Sequence, residues 1–280
     1  MAASASNSSP RRVATRLEAT ARVVVPAALS GVDASFLLAF SRAVGETMVV
    51  LIVSSQNTNL TFDVFGQMTT LAEISELAIR KAVDGLSRID HDVAREVFVL
   101  DQEIYALQNE IEKTCVDLIA LHAPVARDLR TITTSLKITT DLDRIGRYAK
   151  DIAETTLLFD PNVKHFKKLV SIPHMAEMTI HMVDTSIEAF VKRDADSVRN
   201  ISEVDDSVDS LNDEVFREIV TYMMDASLTI EVGARYILVS RYLERIADHA
   251  VNIGERVVYM VTGERLPRLR AADREKPGIP

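Results

Sequence analysis

The sequence predicts an all-α protein with two tandem three-helix bundles, preceded by an apolar N-terminal helix. Beyond residue 62, apolar side chains recur three and four positions apart, as on helices with one buried face, and no sustained period-two alternation indicates a strand. The chain also repeats itself: DLDRIGRYAKDIAE, at residues 141–154, matches YLERIADHAVNIGE, at residues 242–255. Two copies of one helical unit with short connections are typical of antiparallel bundles packed side by side.

The duplication extends upstream of these two motifs. Residues 101–111 (DQEIYALQNEI) align without gaps on residues 205–215 (DDSVDSLNDEV), and Asp90 falls on Asp194 at the same offset. Each copy therefore includes three helices. In the first copy we expect them at about 71–86, 93–121 and 124–158. In the second we expect them at about 172–192, 194–224 and 229–262, with Gly263 as a C-terminal cap.

The domain organisation follows from the repeats and from local composition. Four segments are predicted: residues 1–57, with a disordered start and an apolar helix; 62–162, the first repeat; 168–265, the second repeat; and 266–280, a loose charged tail. The polar stretch Gln56–Thr61 is the expected linker to the repeats. The run Leu29–Val53 is long enough to cross a bilayer, but Asp33, Arg42 and Glu46 would be costly at membrane depth, so its insertion is left open.

Composition and charge exclude several classes of function. A net charge of −9 argues against binding to nucleic acid. The single cysteine, Cys115, excludes an intramolecular disulfide and lies in an apolar run that predicts a buried, unreactive thiol. No Ser/His/Asp or Cys/His arrangement, Glu-x-x-His pair or glycine-rich phosphate loop is legible, so we expect no catalytic residues and no enzyme.

Two pairs of acidic residues in the second repeat form the candidate metal site. Asp205 and Asp209 stand four residues apart on one predicted helix, and Glu244 and Asp248 do so on the next, so each pair shares a helical face. Carboxylates crowded together repel one another, and a bound cation relieves that repulsion. The donors suit a divalent or trivalent ion such as Mg, Mn, Fe or Zn, whose identity the pattern leaves open. The alternative is a solvated acidic face with neighbouring arginines.

The first repeat keeps only half of this acidic pattern. Asp101 and Asp143 align with the first acid of each pair, whereas Tyr105 and Arg147 align with the second. Arg147 can reach back to Asp143 on the same helical face, so that a guanidinium replaces the charge of a cation. We therefore expect Asp101 and Asp143 to be weak, degraded equivalents of the metal site.

Residues 64–265 resemble the PhoU family of phosphate-signalling regulators. The resemblance is carried by residues 117–154, by the DxxVDxL pattern of residues 205–211 and by RYLERIADHAVNIGE at residues 241–255. It implies tandem three-helix repeats whose metal ligands are an acid, three residues, then aspartate. The second repeat matches that motif in both of its acidic pairs, while Tyr105 and Arg147 depart from it.

The resemblance also implies a function and partners. A PhoU-like protein is expected to be a cytoplasmic, homodimeric accessory protein that negatively regulates phosphate uptake and phosphate signalling. Its expected partners are subunits of the phosphate ABC transporter and, where present, a sensor histidine kinase. Two alternatives are kept: a helical-bundle metalloprotein or metalloenzyme, and a scaffold tethered to the inner face of the plasma membrane through residues 29–53.

The N-terminal segment resembles the C-terminal part of a phosphate ABC-transporter permease. The residues concerned are ATRLEATARVVVPAALSG, at 14–31, and FSRAVGETMVVLIV, at 40–53. Val13 stands where the permease loop has a glycine, and residues 7–9 stand where it has EAA, so the coupling half of that motif is missing. We interpret the segment as a relic of a gene fusion or of a start site inside a decayed permease gene.

Overall fold

Six helices make up the described part of the chain. The computed structural model describes residues 64–161, 165, 169–225 and 230–265, and within them it contains no strand. The helices are α1 (64–88), α2 (His91–His122), α3 (Ala126–Leu157), α4 (Ser171–Lys192), α5 (Ile201–Asp225) and α6 (Ile230–Thr262). α1–α3 form one bundle and α4–α6 the other, which confirms the predicted all-α fold with two tandem three-helix repeats. The predicted N-terminal helix, the permease-like segment and the tail at 266–280 lie outside the described residues.

Both repeats turn from their first helix into their second in the same way. Ile89 and Arg193, which align, have φ angles of 56° and 54° and end α1 and α4 in the left-handed region. Asp90 N and Asp194 N then donate, at 2.8 Å and 2.9 Å, to the carbonyl five residues earlier. This is a Schellman-type helix end. Its occurrence at equivalent positions shows the duplication in the backbone as well as in the sequence.

The second helix of the second repeat begins later than predicted. We predicted a start at Asp194, but α5 begins at Ile201 and the intervening residues form turns. Asp194 accepts hydrogen bonds from Asp196 N at 2.9 Å and from Ser197 Oγ at 2.6 Å, and such local bonds compete with helix formation. In the first repeat, by contrast, Asp90 caps α2 directly through the first amides of the helix.

Helix α3 forms despite several threonines and serines, which have modest helix propensity. Their buried hydroxyls donate to carbonyl oxygens one turn earlier: Thr131 to Arg127, Ser135 to Thr131 and Thr139 to Ser135. These bonds satisfy polar groups that would otherwise be costly inside the protein. The same helix can therefore present a polar face to its neighbours without leaving buried hydroxyls unpaired at these positions.

The two bundles meet through α3 and α6, with α1 and α4 also in contact through Phe65 and Phe190. Tyr148 aligns with His249, and Asp141 aligns with Tyr242. The Tyr148 ring lies 5.9 Å from the His249 ring and 6.1 Å from the Tyr242 ring, while His249 Nδ1 lies 2.9 Å from Asp141 Oδ1. Because aligned residues contact each other, an approximate two-fold axis passes between Tyr148 and His249.

None of the described helices has the length and mean hydropathy needed to cross a membrane. The apolar run at residues 29–53, for which membrane insertion was left open, lies outside the described residues.

Candidate metal centre

Close helix packing sets the relative height of α5 and α6. A Cβ atom on Gly254 would lie 3.4 Å from Cγ2 of Ile201, and one on Gly233 would lie 2.9 Å from Cγ2 of Ile219. The start of α5 therefore lies beside the end of α6, and the end of α5 beside the start of α6. The two helices are antiparallel, and glycine at both contacts lets their backbones approach closely.

This register brings the four predicted ligands of the second repeat together on two adjacent turns of the facing helices. Counting along the helices from the glycine contacts, Asp209 lies level with Glu244 and Asp205 lies level with Asp248. Asp205 and Glu244 are only 8% and 9% exposed, and Asp209 and Asp248 are half-buried. A solvated acidic face would leave these side chains much more open to water.

Two arginines of α6 pair with the two acids of the same helix. Arg241 Nη1 forms an ion pair with Glu244 Oε2, and Arg245 Nη1 lies 3.5 Å from Asp248 Oδ2. Both arginine side chains are about half exposed, so water screens their charge. Among the described residues, no three His, Cys, Asp or Glu side chains converge where they could hold a metal ion.

In the first repeat, side-chain cations occupy the corresponding place. Arg147 Nε donates to Asp143 Oδ2 at 2.9 Å, as the repeat alignment predicted, and Lys150 Nζ lies 3.4 Å from Asp101 Oδ2. The hydrogen bond from Arg147 to Asp143, and the charge of Asp143, raise the pKa of Arg147, with smaller contributions from Asp101 and Tyr105. The positive charge that a metal would bring is supplied here by the chain itself.

We did not predict a role for Lys150 from the sequence. Lys150 aligns with Val251, so the alignment does show an additional cation in the repeat that has lost two acids. Lys150 lies three residues beyond Arg147 and hence on the same side of α3. Its Nζ atom lies 5.7 Å from the centre of the Phe98 ring, which helps to hold the ammonium group beside Asp101.

Two other titratable side chains, those of Asp141 and Cys115, are buried and have structural roles. His249 and Arg256 of α6 both contact Asp141 of α3, which is 4% exposed, so this buried carboxylate joins the two bundles. Cys115 is fully buried, and burial, with a smaller contribution from Glu112, raises the pKa of its thiol to about 11. A thiol that stays protonated is a poor nucleophile, in agreement with the predicted unreactive cysteine.

A known protein family matches both repeats of the chain. The PhoU domain matches residues 68–156 and 172–257, which together make up more than half of the chain. The chain belongs to the PhoU family. Both matched ranges include the acidic positions described above, so Tyr105 and Arg147, which align with acids of the second repeat, lie within a PhoU domain.

Individual PhoU proteins show the same similarity. The phosphate-specific transport system accessory protein PhoU homologue of Zymomonas mobilis is 34% identical over 201 residues, 71% of this chain and 84% of that protein. The crystal structure of PhoU from Pseudomonas aeruginosa is 32% identical, with a TM-score of 0.71, over 75% of this chain and all of that one. The phosphate transport system regulatory protein PhoU from Streptococcus pneumoniae is 28% identical, with a TM-score of 0.69, over 75% and 98% of the two chains.

Proposed function

We propose that this chain is an accessory protein of a phosphate-specific transport system, and that it lowers phosphate uptake and phosphate signalling when phosphate is abundant. The observation that carries the proposal is the PhoU domain match in both repeats, together with relatives named as accessory or regulatory proteins of such systems. The chain acts through protein–protein contacts with phosphate ABC-transporter subunits and, where the host has one, a sensor histidine kinase. It does so as a cytoplasmic homodimer at the inner face of the plasma membrane and catalyses no reaction.

The second repeat of this regulator binds a metal ion. Its ligands would be the four carboxylates of α5 and α6, Asp205, Asp209, Glu244 and Asp248, which must converge further than they do here to coordinate an ion. Their position on adjacent turns of two facing helices and the burial of Asp205 and Glu244 support this assignment. A cation supplies charge that offsets the repulsion between the carboxylates and thereby stabilises the packing of α5 on α6.

The regulatory proposal is tested by deleting the gene in a host with an intact phosphate transporter. Uptake of radiolabelled phosphate in phosphate-rich medium should rise, a phosphate-starvation reporter should switch on, and the full chain should restore both. Deletion in a strain that also lacks the transporter should leave uptake unchanged, which serves as the control. Unchanged uptake and reporter activity in the first strain would contradict the proposal. Copurification from phosphate-replete cells would identify the subunit bound.

A further inference from the structure

A cleft of 540 Å³ opens between α3 and α6, at the contact between the two bundles. Its volume falls within the range of about 300–1,000 Å³ that is usual for small-molecule sites. α3 contributes Thr134 and Lys137, and α6 contributes Asn252, Glu255 and Arg256. None of these residues belongs to the two acidic clusters, so the cleft is a separate feature of the molecule.

The charge of the cleft is opposite to that of the whole protein. Lys137, Arg256 and Arg265 face it as cations, and Glu255 is the single acid among its lining residues. Even when Asp141, which pairs with Arg256, is counted with Glu255, a chain with a net charge of −9 has a local excess of one positive charge here. Such a concentration of cations in a concave site attracts anions.

The cleft also contains hydrogen-bond donors that are available to a ligand. Within the described part of the chain, the Lys137 ammonium and the Asn252 amide have no hydrogen bond or ion pair. Arg256 is held in place from behind, since its Nη1 lies 3.0 Å from Oδ2 of the buried Asp141. A guanidinium has five N–H donors in a fixed fork, so donors of Arg256 remain for an anion in the cleft.

The positions related to this cleft by the approximate two-fold axis carry different side chains. Leu238 aligns with Lys137, and Arg235 aligns with Thr134. Arg235 Nη1 donates to Leu158 O, and its guanidinium lies 5.2 Å from the centre of the Phe159 ring, so this cation is engaged by the chain itself. The exposed cation at Lys137 is therefore particular to one side of the contact between the repeats.

We propose that the cleft binds a small molecule through a phosphoryl group held by Lys137, Arg256 and Asn252. A phosphoryl group brings close to two negative charges and three acceptor oxygens, which match two cations and an amide donor. Sulfate, the conjugate base of a stronger acid, is a weaker hydrogen-bond acceptor than a phosphoryl group and should bind less tightly. The phenol ring of Tyr259 and the remaining volume accommodate the rest of an esterified ligand. This inference does not depend on the proposed transport function.

Isothermal titration calorimetry on the full chain tests the proposal, with inorganic phosphate, AMP, adenosine and sulfate compared at matched ionic strength. Phosphate, AMP or both should bind, and adenosine should not. Binding of phosphate alone identifies free orthophosphate as the ligand, and binding of AMP alone identifies a phosphate ester. Lys137→Gln should raise the dissociation constant by about 10-fold, as expected for the loss of a charge-assisted hydrogen bond.

Matched variants separate this site from general charge effects. Lys113→Gln removes an equally exposed lysine from α2 and should leave binding unchanged. Asn252→Ala, which removes a donor without changing charge, should weaken binding as Lys137→Gln does. No binding of either phosphate or AMP, sulfate binding as tightly as whichever of phosphate and AMP binds, or equal affinities of the Lys137→Gln and Lys113→Gln variants would each overturn the proposal. A null transport phenotype would leave this result standing, since the purified chain alone is measured.

Discussion

Arg147 Nε donates a 2.9 Å hydrogen bond to Asp143 Oδ2, in the position where the second repeat has Asp248 on the same helix as Glu244. The two repeats share one backbone fold but differ in the charged groups that stand beside their aligned acidic residues. In the first, Arg147 and Lys150 neutralise the acids from within the chain. In the second, all four aligned positions are acids, and Arg241 and Arg245 pair with the two on α6. This difference leads to the first two predictions.

Metal should stabilise the protein through the second repeat alone. In the wild type, metal at a hundredfold excess over its dissociation constant should add about 2.7 kcal/mol to the free energy of unfolding. Asp248→Ala should abolish this increment because it removes a ligand, whereas Asp143→Ala should leave it nearly intact. Thermal unfolding of each variant with and without metal measures the increment. Equal loss of the metal-dependent stabilisation in both variants would show that the two repeats share one site. If metal did not stabilise the wild type at all, the proposed metal site would be wrong.

A second metal site should be obtainable by making the first repeat resemble the second. The triple variant Tyr105→Asp, Arg147→Asp, Lys150→Val restores two acids and removes both cations beside Asp101 and Asp143. Without metal it should be less stable than the wild type, because four carboxylates repel one another. With metal, its bound stoichiometry should double, as measured by elemental analysis after desalting. Tyr105→Asp alone, which leaves both cations in place, is the control and should bind no additional ion.

Two glycines should respond in opposite ways to substitution by alanine. A Cβ atom on Gly146 would lie 2.6 Å from Cδ1 and 3.3 Å from Cγ2 of the fully buried Ile104, so the Ile104 side chain must repack or α2 and α3 must move apart. Gly146→Ala should therefore destabilise the protein by about 1–2 kcal/mol. Gly66 in α1 has no atom within 4 Å of such a Cβ, so Gly66→Ala should be neutral or stabilising, by up to about 1 kcal/mol. Urea denaturation measures the free energy of unfolding of both variants. A Gly146→Ala protein as stable as the wild type would contradict this packing.

Glu76 should make the protein less stable as the pH rises. Burial, followed by the charge of Asp184, raises the pKa of Glu76 from 4.5 to about 7. The folded state then holds this proton more tightly than the unfolded state, so stability is lost between about pH 4.5 and pH 7. Glu76→Gln should exceed the wild type by about 1–2 kcal/mol at pH 8, after allowance for solvent screening of a half-buried group.

Below pH 4.5 the gain from Glu76→Gln should disappear, because the carboxyl is then protonated in both states. Glu103→Gln, at an exposed position on α2, is the matched control for the loss of one negative charge and should not reproduce the gain at pH 8. Unfolding curves at several pH values measure the difference. A gain that is the same at pH 4 and pH 8 would mean that packing, and not the ionisation of Glu76, causes it.

The sequence by itself determined the helical class, the duplication and the positions of the four acids of the second repeat. Helical periodicity and the four-residue spacing of Asp205 and Asp209 are local properties, readable without knowing what the helix packs against. The alignment of the two copies was enough to predict the pairing of Arg147 with Asp143, since both lie on one helix face. The predicted start of α5 was wrong because hydrogen bonds to the Asp194 side chain form a turn there, and hydrophobic periodicity gives no sign of such bonds.

Only the tertiary structure decided which residues of different helices meet. The pairing of Lys150 with Asp101 depends on the register of α2 against α3, and the contact of Arg256 with Asp141 depends on the packing of one bundle on the other. The cleft beside Lys137 has the same origin, since its cations come from both repeats. Helix–helix register is set by the shape of buried side chains along the entire contact, so no local pattern in the sequence encodes it.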